Sequence, residues 1–357
     1  MTEASVLIVD DSAVMRRILC DVVGDEPGLK VGGQAENGAE AIKALEAASF
    51  DLIFLDLEMP VMDGLTALKT IKQRWKAVPV VVFSSLTSRG SVASVQALTL
   101  GAAECVLKPR TTSASATRNE ISANLVPVAN ALVDKGRPSP TAARPGKAPA
   151  SSAPTTTRPA KNVKPHLVTV ASSTGGPAAL MDLITNLGSI DVPMLIVQHI
   201  PPSFTAQLAR RLADRSGLDI AEAADGETIE PGKIRLAPGG LHLELKRQAS
   251  GRVGCRLHSG PKVQYVRPAA DVLFRSAAEA SPGPVLGVVL TGMGADGANG
   301  SEAIVEQGGE IIAQDEASSV VWGMPGAVVG RGLANEVLPL AEIGQAVRRR
   351  AGALASR

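Results

Sequence analysis

Strand-length apolar runs alternate with helix-period stretches along most of this chain, and that alternation restricts its folds more than any other feature. In the first third, runs at residues 5–9, 51–55 and 79–83 alternate with amphipathic stretches at 13–23, 38–48, 64–74 and 91–100. After residue 165 the pattern resumes, with runs at 167–171, 193–197, 234–237 and 285–290 and helical stretches near 177–187 and 203–214. Strands joined by helices pair in parallel, because each crossover returns the chain to the same edge. The expectation is an α/β protein of two doubly wound parallel-sheet domains, residues 1–125 and 166–357. A linker at 126–165, into whose start a helix can extend, joins them.

The linker is read from composition. Prolines recur from Pro138 to Pro165, and bases from Lys135 to Lys164 stand without a single acid between them. Such a segment buries too little apolar surface to offset the entropy of ordering, so a semi-extended spacer is expected. The whole chain, 357 residues with 45% apolar and 20% charged content, is otherwise ordinary for globular domains. A net charge of +1 and only 2% aromatic residues give no nucleic-acid surface. The N-terminus lacks a signal-peptide pattern and no run is long enough to span a bilayer, so a cytoplasmic protein without membrane insertion is expected. Cys20, Cys105 and Cys255 are widely spaced, which indicates neither a disulfide framework nor a zinc site.

In open parallel sheets, sites form beyond the carboxyl ends of the strands. At such ends stand Asp10-Asp11 after Val6-Leu7-Ile8-Val9, Asp56 after Leu52-Ile53-Phe54-Leu55, Ser84, and Lys108 after Val106-Leu107. Crowded carboxylates repel unless a cation compensates, and Mg²⁺, a hard ion with oxygen ligands, suits Asp10, Asp11 and Asp56. Asp56 can then stay ionised and attack a phosphoryl group. Lys108 would pair with the new phosphate and the Ser84 hydroxyl would bond one of its oxygens.

These residues, with the run Asp56-Leu57-Glu58-Met59-Pro60-Val61-Met62-Asp63-Gly64 and Lys108-Pro109, resemble a response-regulator receiver domain. The resemblance implies a flavodoxin-like fold phosphorylated at Asp56 by a histidine kinase. Many receivers carry an aromatic ring three residues before the lysine, where this chain has Cys105.

In the second half the first run empties into Ala171-Ser172-Ser173-Thr174-Gly175-Gly176-Pro177. The glycines permit a tight turn and Pro177 suits a first helical turn, so a serine hydroxyl is delivered to a helix N-terminus. Unpaired N–H groups there can stabilise an oxyanion. Serine needs a base, and the chain offers His166, His199, His242 and His258. His166 opens a strand, at the wrong end of a parallel sheet. His199 follows Pro193-Met194-Leu195-Ile196-Val197-Gln198, at the right end; His242 and His258 remain alternatives whose strands could run antiparallel. An orienting acid is supplied by Asp296 in Thr291-Gly292-Met293-Gly294-Ala295-Asp296-Gly297, after the run at 285–290. Local pattern alone does not choose between Ser172 and Ser173.

The second half resembles the catalytic domain of the chemotaxis protein-glutamate methylesterases. The segments that carry the resemblance are Ser173-Thr174-Gly175-Gly176-Pro177, Gln198-His199-Ile200-Pro201-Pro202-Ser203-Phe204-Thr205, Ala237-Pro238-Gly239, Arg267-Pro268 with Asp271-Val272-Leu273-Phe274, and the Thr291–Gly297 turn. The resemblance implies a Rossmann-like fold in which Ser173 is the nucleophile, His199 the general base and Asp296 its orienter. Thr174 would support His199, and the Met293 N–H would donate to the oxyanion. The family usually has glycine where Ala171 stands. The implied reaction is hydrolysis of glutamate γ-methyl esters on chemoreceptors, with deamidation of receptor glutamines by the same machinery and no cofactor for the hydrolysis. The implied control is a receiver that covers the esterase cleft until Asp56 is phosphorylated. Two other classes stand beside this reading: a non-enzymatic docking module with a broken triad, and a DNA-binding regulator, which would want a basic helix-turn-helix.

Overall fold

The run Val6-Leu7-Ile8-Val9 is apolar on both faces, and a strand of that kind must be covered on both sides. The computed structural model describes residues 3–85, 87–109, 113–133, 158–159 and 164–351. Most of the Pro-rich linker therefore lies outside the described residues. The chain divides into two units, Met1–Ala148 and Pro149–Arg357.

The first unit runs β1 (Ala4–Val9), α1 (Ala13–Asp25), β2 (Leu29–Ala35), α2 (Gly38–Ala47), β3 (Leu52–Asp56) and α3 (Gly64–Arg74). It continues with β4 (Val80–Ser84), α4 (Ser88–Thr99), β5 (Glu104–Leu107) and α5 (Ala114–Val133). The sheet is parallel in the order β2-β1-β3-β4-β5. Every residue of β3 and β4 is buried, which is why these strands read as continuous apolar runs. β2 does not: it is an edge strand, and Lys30, Val31 and Gly32 are exposed. Helix starts are set by side-chain caps. Ser12, Asn37, Asp63 and Thr87 each accept from the N–H three residues on. Helix α5 extends past residue 125 to Val133.

The second unit begins with β6 (Leu167–Ser172), α6 (Gly176–Leu187), β7 (Met194–Gln198), α7 (Pro202–Ser216), β8 (Asp219–Glu222) and β9 (Lys233–Leu236). Then come β10 (His242–Arg247), β11 (Val253–His258), α8 (Ala270–Ala280), β12 (Val285–Val289) and α9 (Ala298–Glu306). It ends with β13 (Glu310–Gln314), α10 (Gly323–Gly330), β14 (Glu336–Leu338) and α11 (Leu340–Ala351). Seven strands form a parallel sheet in the order β14-β13-β12-β6-β7-β9-β8. β10 and β11 stand apart as an antiparallel hairpin that packs on α8. Both large sheets are parallel, as the alternation requires, and the hairpin is an addition to it.

Chain order reverses at β1 in the first sheet, and in the second at β6 and again at the edge, where β8 lies outside β9. In the first unit β1 lies between β2 and β3; in the second, β6 lies between β7 and β12. Loops leave these neighbouring strands toward opposite faces and open a crevice at their carboxyl ends. The loop from β3 into α3 is held tight by a glycine: a Cβ on Gly64 would fall 2.0 Å from the Asp56 carbonyl oxygen. Gly64→Ala is therefore expected to destabilise the first unit by about 1–3 kcal/mol, since backbone must move. Its urea midpoint should fall while the transition of the second unit stays in place.

Candidate active site

The first crevice gathers the predicted acids and amine. Asp10 and Asp56 are buried, and Lys108 Nζ lies 3.0 Å from Asp10 Oδ2 and 2.7 Å from Asp56 Oδ2. Among the described residues no other donor satisfies either oxygen. The second oxygens are held by backbone, Ser12 N–H to Asp10 Oδ1 at 2.9 Å and Glu58 N–H to Asp56 Oδ1 at 3.4 Å. Burial holds the Asp56 carboxyl above its ordinary range despite the pull of Lys108. For Lys108 burial works the other way, and the attraction of Asp56 and Asp10 outweighs it, so the ammonium is held above its usual value.

Carboxylate oxygens of Asp10, Asp11 and Asp56 come within 4.8 Å of one another. Two under-satisfied buried oxygens beside an exposed acid form an all-oxygen donor set that fits a Mg²⁺ ion with part of its water shell. Ser84 is placed at the end of β4, but its hydroxyl turns to the Gly90 carbonyl at 3.2 Å and the Ser85 carbonyl at 3.3 Å. Cys105 is buried against α4, and burial pushes its thiol up to about 12. Arg16, which sequence reasoning passed over, spans the Asp10 carbonyl at 2.8 Å and Glu36 at 2.6 Å and so braces the loop after β1.

The second crevice gathers Ser173, His199 and the Thr291–Gly297 turn at the ends of β6, β7 and β12. The two serines are told apart by their partners. Ser172 is fully buried and donates to Gln198 Oε1 at 2.6 Å. Gln198 Nε2 in turn donates to the Ser173 and His199 carbonyls at 2.9 and 3.0 Å, so Ser172 locks the two turns together. The Ser173 side chain is only partly buried and makes no hydrogen bond among the described residues.

His199 Nε2 lies 2.8 Å from Asp296 Oδ2. With that nitrogen carrying the proton, the lone pair of the neutral ring is on Nδ1, the reverse of the allocation in the familiar serine triad. Asp296 is buried, and its carboxylate also accepts the N–H groups of Ala270 at 2.6 Å, Asp271 at 2.9 Å and Gly297 at 3.0 Å.

The other histidines are engaged elsewhere. His242 accepts the Ala269 N–H at Nδ1 (3.2 Å) and meets the Pro261 carbonyl through Nε2 (2.9 Å), a neutral ring with both nitrogens satisfied. Burial holds it below its ordinary value. His258 sits 3.4 Å from Glu244 on the antiparallel hairpin, and His166 precedes β6.

The turn after β12 is brought against the serine by a glycine. A Cβ on Gly292 would stand 2.8 Å from Ser173 Cβ and 2.3 Å from Met324 Sδ. Thr291 Oγ1 donates to the Thr174 carbonyl at 2.9 Å and accepts the Val321 N–H at 3.0 Å, and Gln314 Oε1 accepts the Thr291 N–H at 2.8 Å. These bonds fix the backbone that carries Met293, whose N–H meets no acceptor among the described residues. Neither Gln198 nor Thr291 announced itself. Gln198 closes an apolar strand, and a polar residue buried there was the one signal.

The family model for the CheB methylesterase matches residues 168–347, and that for the response regulator receiver domain matches residues 6–118. A protein-glutamate methylesterase/protein-glutamine glutaminase of Nocardioides sp. is 42% identical over 347 residues, 97% of this chain and 94% of the relative. A second, from Caulobacter vibrioides, is 44% identical over 358 residues, 98% and 99% of the two chains. The crystal structure of the Thermotoga maritima CheB methylesterase catalytic domain matches with a TM-score of 0.50 and 42% identity. It covers 52% of this chain and 98% of that one. The chain belongs to the CheB methylesterase family and carries a response regulator receiver domain.

Two outcomes are expected. Gly292→Ala should lower turnover by about 100-fold with secondary structure unchanged by circular dichroism, because it displaces the Ser173 turn by about 1 Å. Millimolar Mg²⁺ should raise the urea midpoint of the first unit, EDTA should reverse the rise, and Asp11→Asn should weaken it.

Proposed function

We propose that this protein hydrolyses glutamate γ-methyl esters on the cytoplasmic helices of methyl-accepting chemotaxis receptors, and deamidates receptor glutamines, under control of a phosphorylated receiver. The observation that carries the reading is the His199–Asp296 pair standing at the same sheet crevice as the partly exposed Ser173, whose hydroxyl makes no hydrogen bond among the described residues. The proposed layout is a receiver at 1–125, a linker at 126–165 and an esterase at 166–357. It agrees with family matches at 6–118 and 168–347.

Ser173 Oγ attacks the γ-carbonyl carbon while His199 takes its proton at the nitrogen turned away from Asp296. Asp296 stabilises the imidazolium so formed and holds the ring. The Met293 N–H, at a turn pressed against Ser173, donates to the oxyanion. His199 returns the proton to the departing methoxide, which leaves as methanol. Water deprotonated by His199 then attacks the acyl-serine, and collapse releases the glutamate carboxylate and Ser173. For a glutamine the same steps expel ammonia. Thr174, buried beside the nucleophile, supports the His199 ring.

Control begins at Asp56. A Mg²⁺ held by Asp10, Asp11 and Asp56 would neutralise the crowded charge and that of the incoming phosphoryl group. The Asp56 carboxylate takes the phosphoryl group from a histidine kinase. Lys108, already 2.7 Å from Asp56, pairs with the phosphate, and Ser84 turns from the Gly90 carbonyl to one of its oxygens. That rotation alters the loop into α4 and relieves the restraint of the receiver on the esterase.

Methanol release from methylated receptor membranes, with kinase and ATP supplied or withheld, tests substrate and switch together. Release should rise with phosphodonor and vanish in Ser173→Ala. Deletion of residues 1–135 should raise activity without phosphodonor. Undiminished release from Ser173→Ala refutes the nucleophile, and a deletion that lowers or leaves basal activity refutes restraint by the receiver.

A further inference from the structure

Helices α8 and α9 pack side by side, and neither start is capped by a side chain of its own N-cap residue. The buried acids do this reciprocally. Asp296, just before α9, takes the first N–H groups of α8. Asp271, in the first turn of α8, takes the Gly297 N–H at 3.0 Å and the Gly300 N–H at 2.7 Å on Oδ1. Its Oδ2 accepts Asn299 Nδ2 at 3.0 Å and Gln264 Nε2 at 2.7 Å.

The two carboxylates also share one donor, since the Gly297 N–H lies 3.0 Å from Asp271 Oδ1 and 3.0 Å from Asp296 Oδ1. The helices meet closely at this place: a Cβ on Gly300 would stand 3.0 Å from Asp271 Cα and 2.5 Å from Phe274 Cβ. Gln264 adds a second anchor. It occupies a left-handed conformation at φ 48° and also reaches the Ala295 carbonyl at 3.4 Å. Such a conformation in a residue other than glycine persists only where surrounding bonds hold it.

We propose that Asp271 is a positioning residue for the hydrolysis: through Gly297, Gly300 and Gln264 it fixes the backbone from which the Asp296 carboxylate addresses His199. The inference rests on the function proposed above. Asp271 touches neither His199 nor the substrate, and its effect passes through Asp296. Asp271→Asn keeps one oxygen for the Gly297 and Gly300 N–H groups, and its new NH₂ group faces Gln264 and Asn299, whose amides must both flip to present an oxygen, so the change is confined to side-chain amides. Gln264→Asn keeps a residue that tolerates positive φ but is too short to reach Asp271.

The test uses the full chain on receptor membranes carrying labelled methyl esters, with active sites counted by exhaustive labelling with a fluorophosphonate. Asp271→Asn should lower kcat per labelled site by about 10-fold with KM within about twofold, because small misplacement of a catalytic group costs turnover and not binding. Gln264→Asn should lower kcat severalfold in the same way. If both variants keep kcat per site within about twofold, whatever their melting temperatures, Asp271 is a helix cap only and the proposal fails. A raised KM with unchanged kcat would also overturn it. Wild-type and Ser173→Ala controls isolate the underlying reading: a wild type that labels at Ser173 but releases no methanol refutes the substrate and leaves the positioning question answerable by labelling rate.

Discussion

Parallel strands end together, and where the strand order reverses the loops leave on opposite sides of the sheet. Both sites of this protein depend on that constraint. In the first unit it places Asp10 and Asp11 after β1 beside Asp56 on β3, with Lys108 arriving two strands away. In the second it places Ser173 after β6 between His199 after β7 and the Thr291–Gly297 turn after β12. Residues more than a hundred positions apart meet because each is the first residue, or nearly so, beyond a strand. The sheet supplies the placement and the short loops supply the aim.

The aim is set by backbone more than by side-chain bulk. Gly292 lets one turn approach the serine, and Gly176 does the same for Gln198, whose Oε1 would lie 2.0 Å from a Cβ at that position. The methyl of Ala171 is fully buried and packs toward Gly297 in the core beneath the turn. The Ser172–Gln198 bond then ties the serine turn to the histidine turn, so that neither moves alone.

What the amino-acid sequence made legible follows from burial. β1, β3, β4, β6, β7 and β12 are almost wholly buried and read as apolar runs, whereas β13, equally buried, is bounded by Glu310 and Gln314 and does not. The edge strand β2 exposes half its residues, and β14 is short and half-buried, so neither stands out from a loop. Site residues that end a strand were visible by position alone. Ser172 and Ser173 were not separable by pattern, because what distinguishes them is a partner, Gln198, that arrives from another strand. Asp271 was visible only as part of a motif. Its four donors come from two segments outside α8, Gln264 and the stretch from Gly297 to Gly300, and periodicity within α8 carries no trace of them. The hydroxyl of Ser84, turned to Gly90, is a matter of rotamer that sequence does not encode locally.

The two crevices differ in how their carboxylates are satisfied, and this difference separates their roles. Asp296 accepts two donors on each oxygen: the first two N–H groups of α8, the Gly297 N–H just before α9, and the His199 ring. A carboxylate so saturated is held in place, and it holds the His199 ring with it. Among the described residues, Asp56 and Asp10 each leave one buried oxygen with no donor but the shared Lys108 ammonium, and burial lifts Asp56 above its ordinary range. A carboxylate so strained is one whose surroundings reward a new charge arrangement, whether a divalent cation or a phosphoryl group paired to Lys108. The saturated acid is fixed by its donors, and the under-satisfied acid has capacity for a further partner. One fold principle, applied twice along the chain, yields both because the donors around each strand end differ.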